Sequence, residues 1–286
     1  MARVGQHEVC GTPIESAGDD DREEAWIVSD LHIPASGGPV LDRFLGLVAS
    51  VARRGAKCRL LILGDLFDSW VGSKQLVQPV AGCVVSALLA ARDAGVSTTV
   101  LHGNRDFLLD ASFAAASGAR VVAGGLQVTL GRRKTLLLHG DELCQRDLPY
   151  QRAKRILRHP WTKALVRALP LHCAARLSGA ARKRSGMVMH AGDQTRFDPT
   201  AAALQEAFSS GVELLIFGHI HRPARGSFAP DREYCILPAF DQDGVFLRHE
   251  ARGLRFVAQG VVAQGVGAQG VGGEVEVPDF PSRTFP

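Results

Sequence analysis

The chain has 286 residues, of which 46% are hydrophobic, which is long enough for one large α/β domain with a buried core. No apolar run approaches the roughly 18 to 20 residues of a membrane-spanning helix, and residues 1–24 lack the apolar stretch of a secretory signal. Residues 146–190 contain eleven Lys or Arg and one acidic residue, which gives this segment a net charge of +10. The rest of the chain contains 22 basic and 28 acidic residues, which gives it a net charge of −6. This basic segment indicates an anionic partner.

The composition also divides the chain. We expect residues 1–24 to be a disordered leader, residues 25–257 to form the domain, and residues 258–286 to be a low-complexity tail. The tail contains AQGV at positions 258, 263 and 268. Six cysteines are scattered without a CxxC pair, which is typical of reduced cytosolic thiols.

From residue 25 onward, buried strands alternate with helices. The predicted strands are AWIVSDLH, RLLILGDLFD, STTVLHGNRD and VELLIFGHIH. The predicted helices are LDRFLGLVASVARRG, QLVQPVAGCVVSALLAARDAG with a possible kink at Pro79, and DPTAAALQEAFSSG with Asp198 as its N-cap. LQVTLG and KTLLLHGDEL predict a hairpin, residues 148–184 a helical segment broken near Pro160 and Pro170, and SFAP, REYCILP, GVFLRHE and GLRFVAQ short antiparallel strands. This order predicts a layered α/β fold with an antiparallel portion added later.

Five apolar segments end in residues of metal-ligand type, namely SDLH, GDLFD, GNRD, HGD and GHIH. Each motif alone has an ordinary explanation as a turn or a surface polar pair. Ligands of layered α/β folds bind outside the carboxyl ends of the strands, so all five tips could converge there. Their carboxylates, amide oxygen and imidazoles suit Mn²⁺, Fe²⁺, Zn²⁺ or Mg²⁺.

The motifs D-x-H, GD-x-x-D, GNRD, HGD and GH-x-H, in this order over roughly residues 25–250, resemble those of the calcineurin-like metallophosphoesterases. The resemblance implies a β-sandwich flanked by helices, with two divalent metal ions, expected to be Mn²⁺, at one edge of the sheets. It implies one metal held by Asp30, His32, Asp65 and His221, and a second held by Asp65, Asn104, His139 and His219. The expected catalytic residues are Asp65, Asn104, Arg105 and His219.

Arg105 follows the candidate ligand Asn104, where its guanidinium could clamp a phosphate oxygen or pair with Asp106 or Asp68. The phosphoprotein phosphatase branch carries a histidine at this place, which protonates the leaving alkoxide. A pyrophosphate bond fits a site without that acid, because a phosphate monoester leaves more readily than an alkoxide. His102 is the alternative acid.

The segments HGDELCQRDLPYQ and HPWTKALVRALPLHCAARLSGAARKR resemble the UDP-2,3-diacylglucosamine pyrophosphatase family of lipid A biosynthesis. The resemblance implies hydrolysis of this lipid-linked nucleotide sugar to UMP and 2,3-diacylglucosamine 1-phosphate. The implied substrate contacts are Asn104, Arg105, Asp147 and Tyr150, with Lys183 and Ser185 as weaker candidates.

Residues 147–190 are then expected to form an inserted helical cap. Its apolar lining could hold two acyl chains, and its basic rim could meet the pyrophosphate or an acidic membrane surface. The expected location is cytoplasmic, peripheral on the inner face of the cytoplasmic membrane of a Gram-negative bacterium. The alternative is a helical bundle that packs on the core with a solvated basic face.

Two other functions stay open at this point. One is a phosphodiesterase or nucleotide pyrophosphatase of broader specificity, and the other is a non-catalytic scaffold of the same fold. Nucleic acid is not an expected partner, because the cap offers almost no aromatic residue besides Trp161 for base stacking.

Overall fold

The computed structural model describes residues 7–17, 22–190, 194–259, 274–283 and 285, and it describes no side chains for residues 181–190, 194 and 274. The strands in these ranges are β1 (His7–Val9), β2 (Thr12–Ser16), β3 (Glu24–Val28), β4 (Cys58–Ile62), β5 (Ser97–Leu101), β6 (Arg120–Val122), β7 (Gly125–Leu130), β8 (Arg133–Leu138), β9 (Leu214–Phe217), β10 (Ala224–Ala229), β11 (Arg232–Ile236), β12 (Val245–Glu250), β13 (Gly253–Gln259) and β14 (Glu274–Val277). The α-helices are α1 (Pro39–Arg54), α2 (Pro79–Asp93), α3 (Ala111–Ser117), α4 (Leu148–Leu157), α5 (Pro160–Ala168), α6 (Leu171–His190), α7 (Ala201–Ser209) and α8 (Phe240–Asp243).

These fourteen described strands form two sheets of seven. Sheet I has the order β1-β2-β7-β8-β9-β11-β10, and sheet II has the order β14-β13-β12-β3-β4-β5-β6. Strands β3 to β6 run parallel to one another, as do β8 and β9, while β7 and β8 form the expected hairpin. The expected sandwich flanked by helices is confirmed.

Side chains of β3 alternate between two packing layers, as the pleat of a strand requires. Ala25 and Ile27 belong to the apolar layer between the two sheets, together with residues of β8 and β9. Trp26 and Val28 pack on the other face, where α1, α2 and α3 cover sheet II. Helix α7 covers the outer face of sheet I through residues such as Phe208. Central strands buried on both faces therefore read as continuous apolar runs.

Helices α4, α5 and α6 make up the cap segment, and they break next to Pro160 and Pro170 as expected. Arg158 donates to the carbonyl of Gly103 at 3.2 Å, and Lys74 donates to the carbonyl of Leu169 at 3.0 Å. The cap thus contacts the loops that follow β4 and β5. Among the described helices, none combines the length and apolarity needed to cross a membrane. All six cysteines are free.

The expectation of a disordered leader over residues 1–24 is wrong for residues 7–16. Strands β1 and β2 pair as an antiparallel hairpin, and β2 adds to the edge of sheet I with Ile14 opposite Gly125. Val9 and Ile14 are buried against the α7 layer. The acidic composition around residues 19–24 led to the expectation of disorder, and the two strands are too short to give a clear alternating pattern.

The tail expected over residues 258–286 is also partly ordered. Residues 258 and 259 complete β13, and β14 pairs with that strand, with Val277 opposite Phe256. Phe280 then packs edge-on against Phe256 at 4.8 Å between ring centroids, and Arg283 donates its backbone N–H to the Tyr234 hydroxyl at 2.8 Å. Most of the AQGV repeat lies in residues 260–273, outside the described residues.

Two helix details differ from expectation. Pro79 begins α2 and does not kink it, because a proline ring fits the first helical position. The N-cap of α7 is Thr200, whose side chain accepts from the N–H of Ala203, and not Asp198. Asp198 instead accepts from Arg222 at 2.7 Å.

Candidate metal centre

The carboxyl ends of five strands meet at one edge of the sandwich. The residues brought there are Asp30 and His32 after β3, Asp65 after β4, Asn104 and Arg105 after β5, His139 after β8, and His219 and His221 after β9. The backbone N–H of His219 donates to Asp30 Oδ2 at 2.8 Å, and His139 Nδ1 lies 2.8 Å from the carbonyl oxygen of Leu63. These contacts join sheet I to sheet II directly at the site.

Glycines let the loops that carry the candidate ligands approach one another closely. A Cβ on Gly218 would overlap the side chains of Ser29 and Asp30, and a Cβ on Gly103 would overlap Asp65. Any larger residue at either position would push a candidate ligand away.

One group of potential ligand atoms comes from Asp30, His32 and His221, all within 4.8 Å of one another. His221 Nε2 lies 3.3 Å and His32 Nε2 lies 3.9 Å from Asp30 Oδ1. His32 Nε2 also lies 3.1 Å from Asp65 Oδ2. This group faces a single point between two carboxylates.

A second group comes from Asp30, Asp65 and His139, also within 4.8 Å. His139 Nε2 lies 3.0 Å from Asn104 Oδ1 and 3.8 Å from Asp65 Oδ1. The ring of His219 lies edge-on to that of His139, with 5.0 Å between centroids. Asp30 belongs to both groups, and Asp65 contacts both, through Oδ2 towards His32 and through Oδ1 towards His139.

The backbone is unusual at most of these residues. Among the seven described non-glycine residues with positive φ, five are candidate ligands, namely Asp30, His32, Asp65, His219 and His221, with φ between 46° and 67°. The left-handed region costs free energy for residues with a Cβ and is retained mainly at functional sites. The strand ends thus hold these side chains in a fixed orientation.

A pair of divalent cations fits the residues present. Among the described residues, Oδ1 of Asp30 is buried and receives no hydrogen bond of good geometry, although His221 Nε2 lies 3.3 Å away. Such burial is costly for a carboxylate oxygen unless a cation binds it. Carboxylate oxygens, an amide oxygen and imidazole nitrogens form a donor set for Mn²⁺, Fe²⁺ or Zn²⁺.

The ionisation states of the cluster differ from one candidate ligand to the next. Burial raises the pKa of Asp30, but the adjacent His221 imidazole more than offsets this, so the net shift is downward. Burial and the charge of His139 lower the pKa of His219 to about 4, so His219 is a neutral imidazole. Asp30 and His219 thus have the forms that bind metal. Burial opposes the shift, but neighbouring carboxylates raise the pKa of His32 to about 9 and also raise that of His139, so a metal ion would displace a proton from each of these imidazoles.

Comparison with known proteins agrees with this geometry. A family model described as calcineurin-like phosphoesterase matches residues 25–223. The chain belongs to the calcineurin-like phosphoesterase family. Three relatives of the chain are each named UDP-2,3-diacylglucosamine hydrolase. The relative from Pseudomonas savastanoi pv. phaseolicola is 36% identical and aligns over 79% of this chain and 92% of its own length. The relative from Cellvibrio japonicus is 35% identical over 79% and 95%, and that from Pseudomonas putida is 32% identical over 80% and 96%.

Membership of the calcineurin-like phosphoesterases implies a site for two metals, and the two ligand groups correspond to such a site. Arg105 lies at its rim with its side chain 30% exposed. Its Nη1 donates to Asp68 Oδ1 at 2.7 Å, which is one of the two ion pairs expected for it. The other expected partner, Asp106, instead accepts backbone N–H groups, from Gly103 at 2.8 Å and Leu66 at 2.7 Å.

Asp106 was expected only as a partner for Arg105, yet it organises this part of the phosphoesterase site. Its buried carboxylate ties the loop after β5 to the loop that carries Asp65. Burial and the charge of Asp65 together raise the pKa of Asp106 to about 6. The GNRD motif contains this residue, so the motif was the available signal, but the spacing alone did not reveal the contact.

Cap helix α4 lies against the same site. Its Tyr150 hydroxyl donates to Asp141, and its ring centroid lies 6.1 Å from that of His219. Lys154 Nζ and Arg158 Nη2 lie 2.8 Å and 3.6 Å from Asp141 Oδ2. These cations lower the pKa of Asp141 although burial opposes the shift. Asp141 belongs to the predicted HGD tip, although no role was assigned to it. The sequence did not indicate Lys154 and Arg158, because only the fold places them around this carboxylate.

Of the remaining substrate-contact candidates, the structure describes the side chain of only one. Asp147 is the N-cap of α4 and accepts from the N–H of Tyr150 at 3.3 Å, which puts it at the base of the cap. Lys183 and Ser185 lie on α6, but their side chains are outside the described part of the chain.

His102 does not face the site. It is buried, and its Nε2 lies 2.8 Å from the carbonyl oxygen of Leu109. Burial lowers the pKa of His102 to about 4, with smaller contributions from nearby cationic side chains of the cap. His102 is therefore a neutral structural residue, and the alternative of a general acid at this position has no support in the geometry.

Two single substitutions test the two-group arrangement. We expect His219→Ala and His221→Ala each to bind one Mn²⁺ ion fewer than the unsubstituted protein, because each imidazole faces a different group. Titration of the metal-free protein by calorimetry counts the ions. His7→Ala, at an exposed histidine of β1, serves as the control and should retain both ions. Two tightly bound ions in either site variant would contradict the arrangement.

His102 generates a prediction for stability against pH. Because its folded pKa is lowered below the unfolded value, the unfolded chain binds the extra proton, and stability falls as the pH drops from about 6.5 towards 4. His102→Gln should remove roughly 2 to 3 kcal/mol of the loss between pH 7 and 4.5. Urea unfolding of the metal-free protein at both values measures it. An equal loss in both proteins would refute the assignment.

Proposed function

We propose that this protein hydrolyses the pyrophosphate of UDP-2,3-diacylglucosamine and releases UMP and 2,3-diacylglucosamine 1-phosphate, a step of lipid A biosynthesis. The supporting observation is the buried ligand cluster under cap helix α4, in a chain that aligns with 92% to 96% of the length of relatives named for this substrate. The substrate would be the lipid-linked nucleotide sugar.

The proposed ligand sets extend the two groups of the site and take Asp65, which contacts both His32 and His139, as the shared carboxylate. One cation would be held by Asp30, His32, Asp65 and His221, and the other by Asp65, Asn104, His139 and His219. We propose Mn²⁺ for both, which suits mixed oxygen and imidazole donors. Two bound cations would supply an activated water and neutralise charge that develops on the phosphoryl oxygens.

Asn104 and Arg105 are proposed to orient the α-phosphate. The backbone N–H of Arg105 donates to Asp65 Oδ1 at 2.9 Å, which fixes the chain beside the proposed metals. The guanidinium is partly exposed, so a phosphate oxygen could share it with Asp68. No described histidine occupies the position of a leaving-group acid, and a phosphate monoester leaves without one more readily than an alkoxide does.

The cap is proposed to hold the rest of the substrate. Tyr150 and Lys154 of α4, with Arg158 directly after that helix, lie on the side of the cap that faces the cluster. The side-chain charges of Lys154 and Arg158 could stabilise the pyrophosphate there. Asp147 at the start of α4, with Lys183 and Ser185 on α6, are the proposed headgroup contacts.

The assay that tests this function compares substrates in ¹⁸O-labelled water. Protein loaded with Mn²⁺ is incubated with UDP-2,3-diacylglucosamine, ADP-ribose or bis(p-nitrophenyl) phosphate, and the products are identified by mass. We expect UMP from the acylated substrate alone, with the label in UMP because water attacks the α-phosphorus.

Asp65→Asn, which removes the carboxylate proposed to bind both cations, is the control for a contaminating hydrolase and should be inactive. Turnover of only the generic diester would favour a broader phosphodiesterase. Two bound ions without turnover of any substrate would favour a scaffold. Either result would refute the proposed function.

We further propose that the cap rests on an acidic membrane surface, at the inner face of the cytoplasmic membrane of a Gram-negative bacterium. Ile156, Trp161 and Leu165 on α4 and α5 are 66%, 81% and 64% exposed. Arg152 and Arg155 are exposed beside them. Exposed apolar side chains flanked by basic ones are typical of a surface that inserts shallowly into anionic lipid.

Vesicle sedimentation tests the membrane contact. We expect binding to vesicles with acidic lipid that weakens with salt, and a several-fold weaker binding for Trp161→Ser. Val275→Ser, at a similarly exposed apolar residue on β14, is the control and should bind as the unsubstituted protein does. Equal binding by the Trp161 variant would contradict this orientation.

A further inference from the structure

His32 uses its two ring nitrogens in opposite ways. Its Nε2 faces the candidate metal group, 3.1 Å from Asp65 Oδ2 and 3.9 Å from Asp30 Oδ1. Its Nδ1 lies 2.9 Å from Oδ2 of Asp241. A neutral imidazole can leave an Nε2 lone pair free for a metal only if Nδ1 carries the proton. The carboxylate of Asp241 accepts that proton's hydrogen bond and so favours this tautomer.

Asp241 is held in place independently of His32. It lies on α8, in the connection that leads from β11 of sheet I to β12 of sheet II. The backbone N–H groups of Phe240 and Asp241 donate to the carbonyls of Ser29 and Asp30 at 3.1 Å and 3.3 Å. Arg43 of α1 donates to the carbonyl of Asp241, and the Phe240 ring is fully buried under sheet II. The carboxylate thus has a rigid support.

We propose that Asp241 is a positioning residue of the metal centre, which fixes the tautomer and orientation of His32 towards the ion proposed between Asp30 and His221. This inference rests on the proposed metal site. None of the five strand-end motifs contains Asp241, and it lies outside the residues that the family model matches.

A comparison within the site supports the assignment. His139 has the same arrangement, with Nε2 facing Asn104 Oδ1 at 3.0 Å and Nδ1 facing the carbonyl oxygen of Leu63 at 2.8 Å. His32 differs in that its partner is a carboxylate and not a backbone carbonyl. A carboxylate increases the basicity of the imidazole more, and it can be removed by substitution without altering the backbone.

The expected effect is on metal affinity. Partners that orient a metal-binding histidine typically contribute 10- to 100-fold to affinity or activity. We expect Asp241→Ala to weaken one of the two Mn²⁺ ions by about 10- to 100-fold and to leave the other unchanged. Asp241→Asn, which keeps an acceptor oxygen without the charge, should fall between Ala and the unsubstituted protein.

The experiment is calorimetric titration of Mn²⁺ into the metal-free full chain. Asp243→Ala is the matched control, because it removes an equal charge from an exposed position on the same helix. It should bind both ions as the unsubstituted protein does. Thermal unfolding of the metal-free variants monitors the fold, and Asp241→Asn preserves the side-chain shape if Asp241→Ala is unstable.

A second readout separates positioning from general damage. At saturating Mn²⁺, the kcat of Asp241→Asn should return to within a few-fold of the unsubstituted value, with an unchanged KM for the substrate. If Asp241→Ala and Asp241→Asn both bind two ions as tightly as the unsubstituted protein, the proposed role of Asp241 is wrong, while the metal centre stands. Fewer than two ions in the unsubstituted protein would overturn the metal centre and this inference with it. A protein that binds two ions but lacks the proposed hydrolysis would overturn only the proposed substrate.

Discussion

Asp30 and Asp65 are carboxylates that lie almost fully buried, 0% and 1% exposed, at the edge where the two sheets meet. A buried carboxylate is stable as an anion only if cationic or hydrogen-bonding groups surround it. Those groups come from both sheets: His32 and Arg105 follow strands of sheet II, and His221 follows a strand of sheet I. The sandwich is therefore required to bring the site together, and the site in turn constrains how closely the sheets approach.

The backbone shows where this constraint acts. Five candidate ligands adopt left-handed φ angles, and Gly103 and Gly218 leave no room for a Cβ beside them. Each such residue costs on the order of 1 to 3 kcal/mol and persists only where neighbouring structure determines it. Here the neighbours are parallel strands buried on both faces, whose registers fix the point at which each loop begins. The rigid strands thus support strained loops, and these loops fix the directions in which the candidate ligand side chains point.

Much of the site could be predicted from the sequence because its residues follow strands in a recognisable order. Local sequence patterns predicted the strand ends, the hairpin, the cap helices and the breaks at Pro160 and Pro170. The strands at residues 7–16 and 274–277 are short and polar, so their pairing depends on edges that only the folded sheets provide. Asp241 acts through a contact with His32 in a distant segment, and no local pattern marks such a residue. Asp141 lies in the HGD motif, but its ion pair with Lys154 depends on how helix α4 folds back over the site.

The proposed metal centre holds two cations that share Asp65 at this edge. The most direct measurement is a crystal structure of the Mn²⁺-loaded protein with diffraction recorded at the manganese absorption edge. We expect two anomalous peaks about 3.5 to 4 Å apart. One should contact Asp30, His32 and His221, the other Asn104, His139 and His219, and both should contact Asp65. A single peak, or two peaks of which only one contacts Asp65, would contradict the claim.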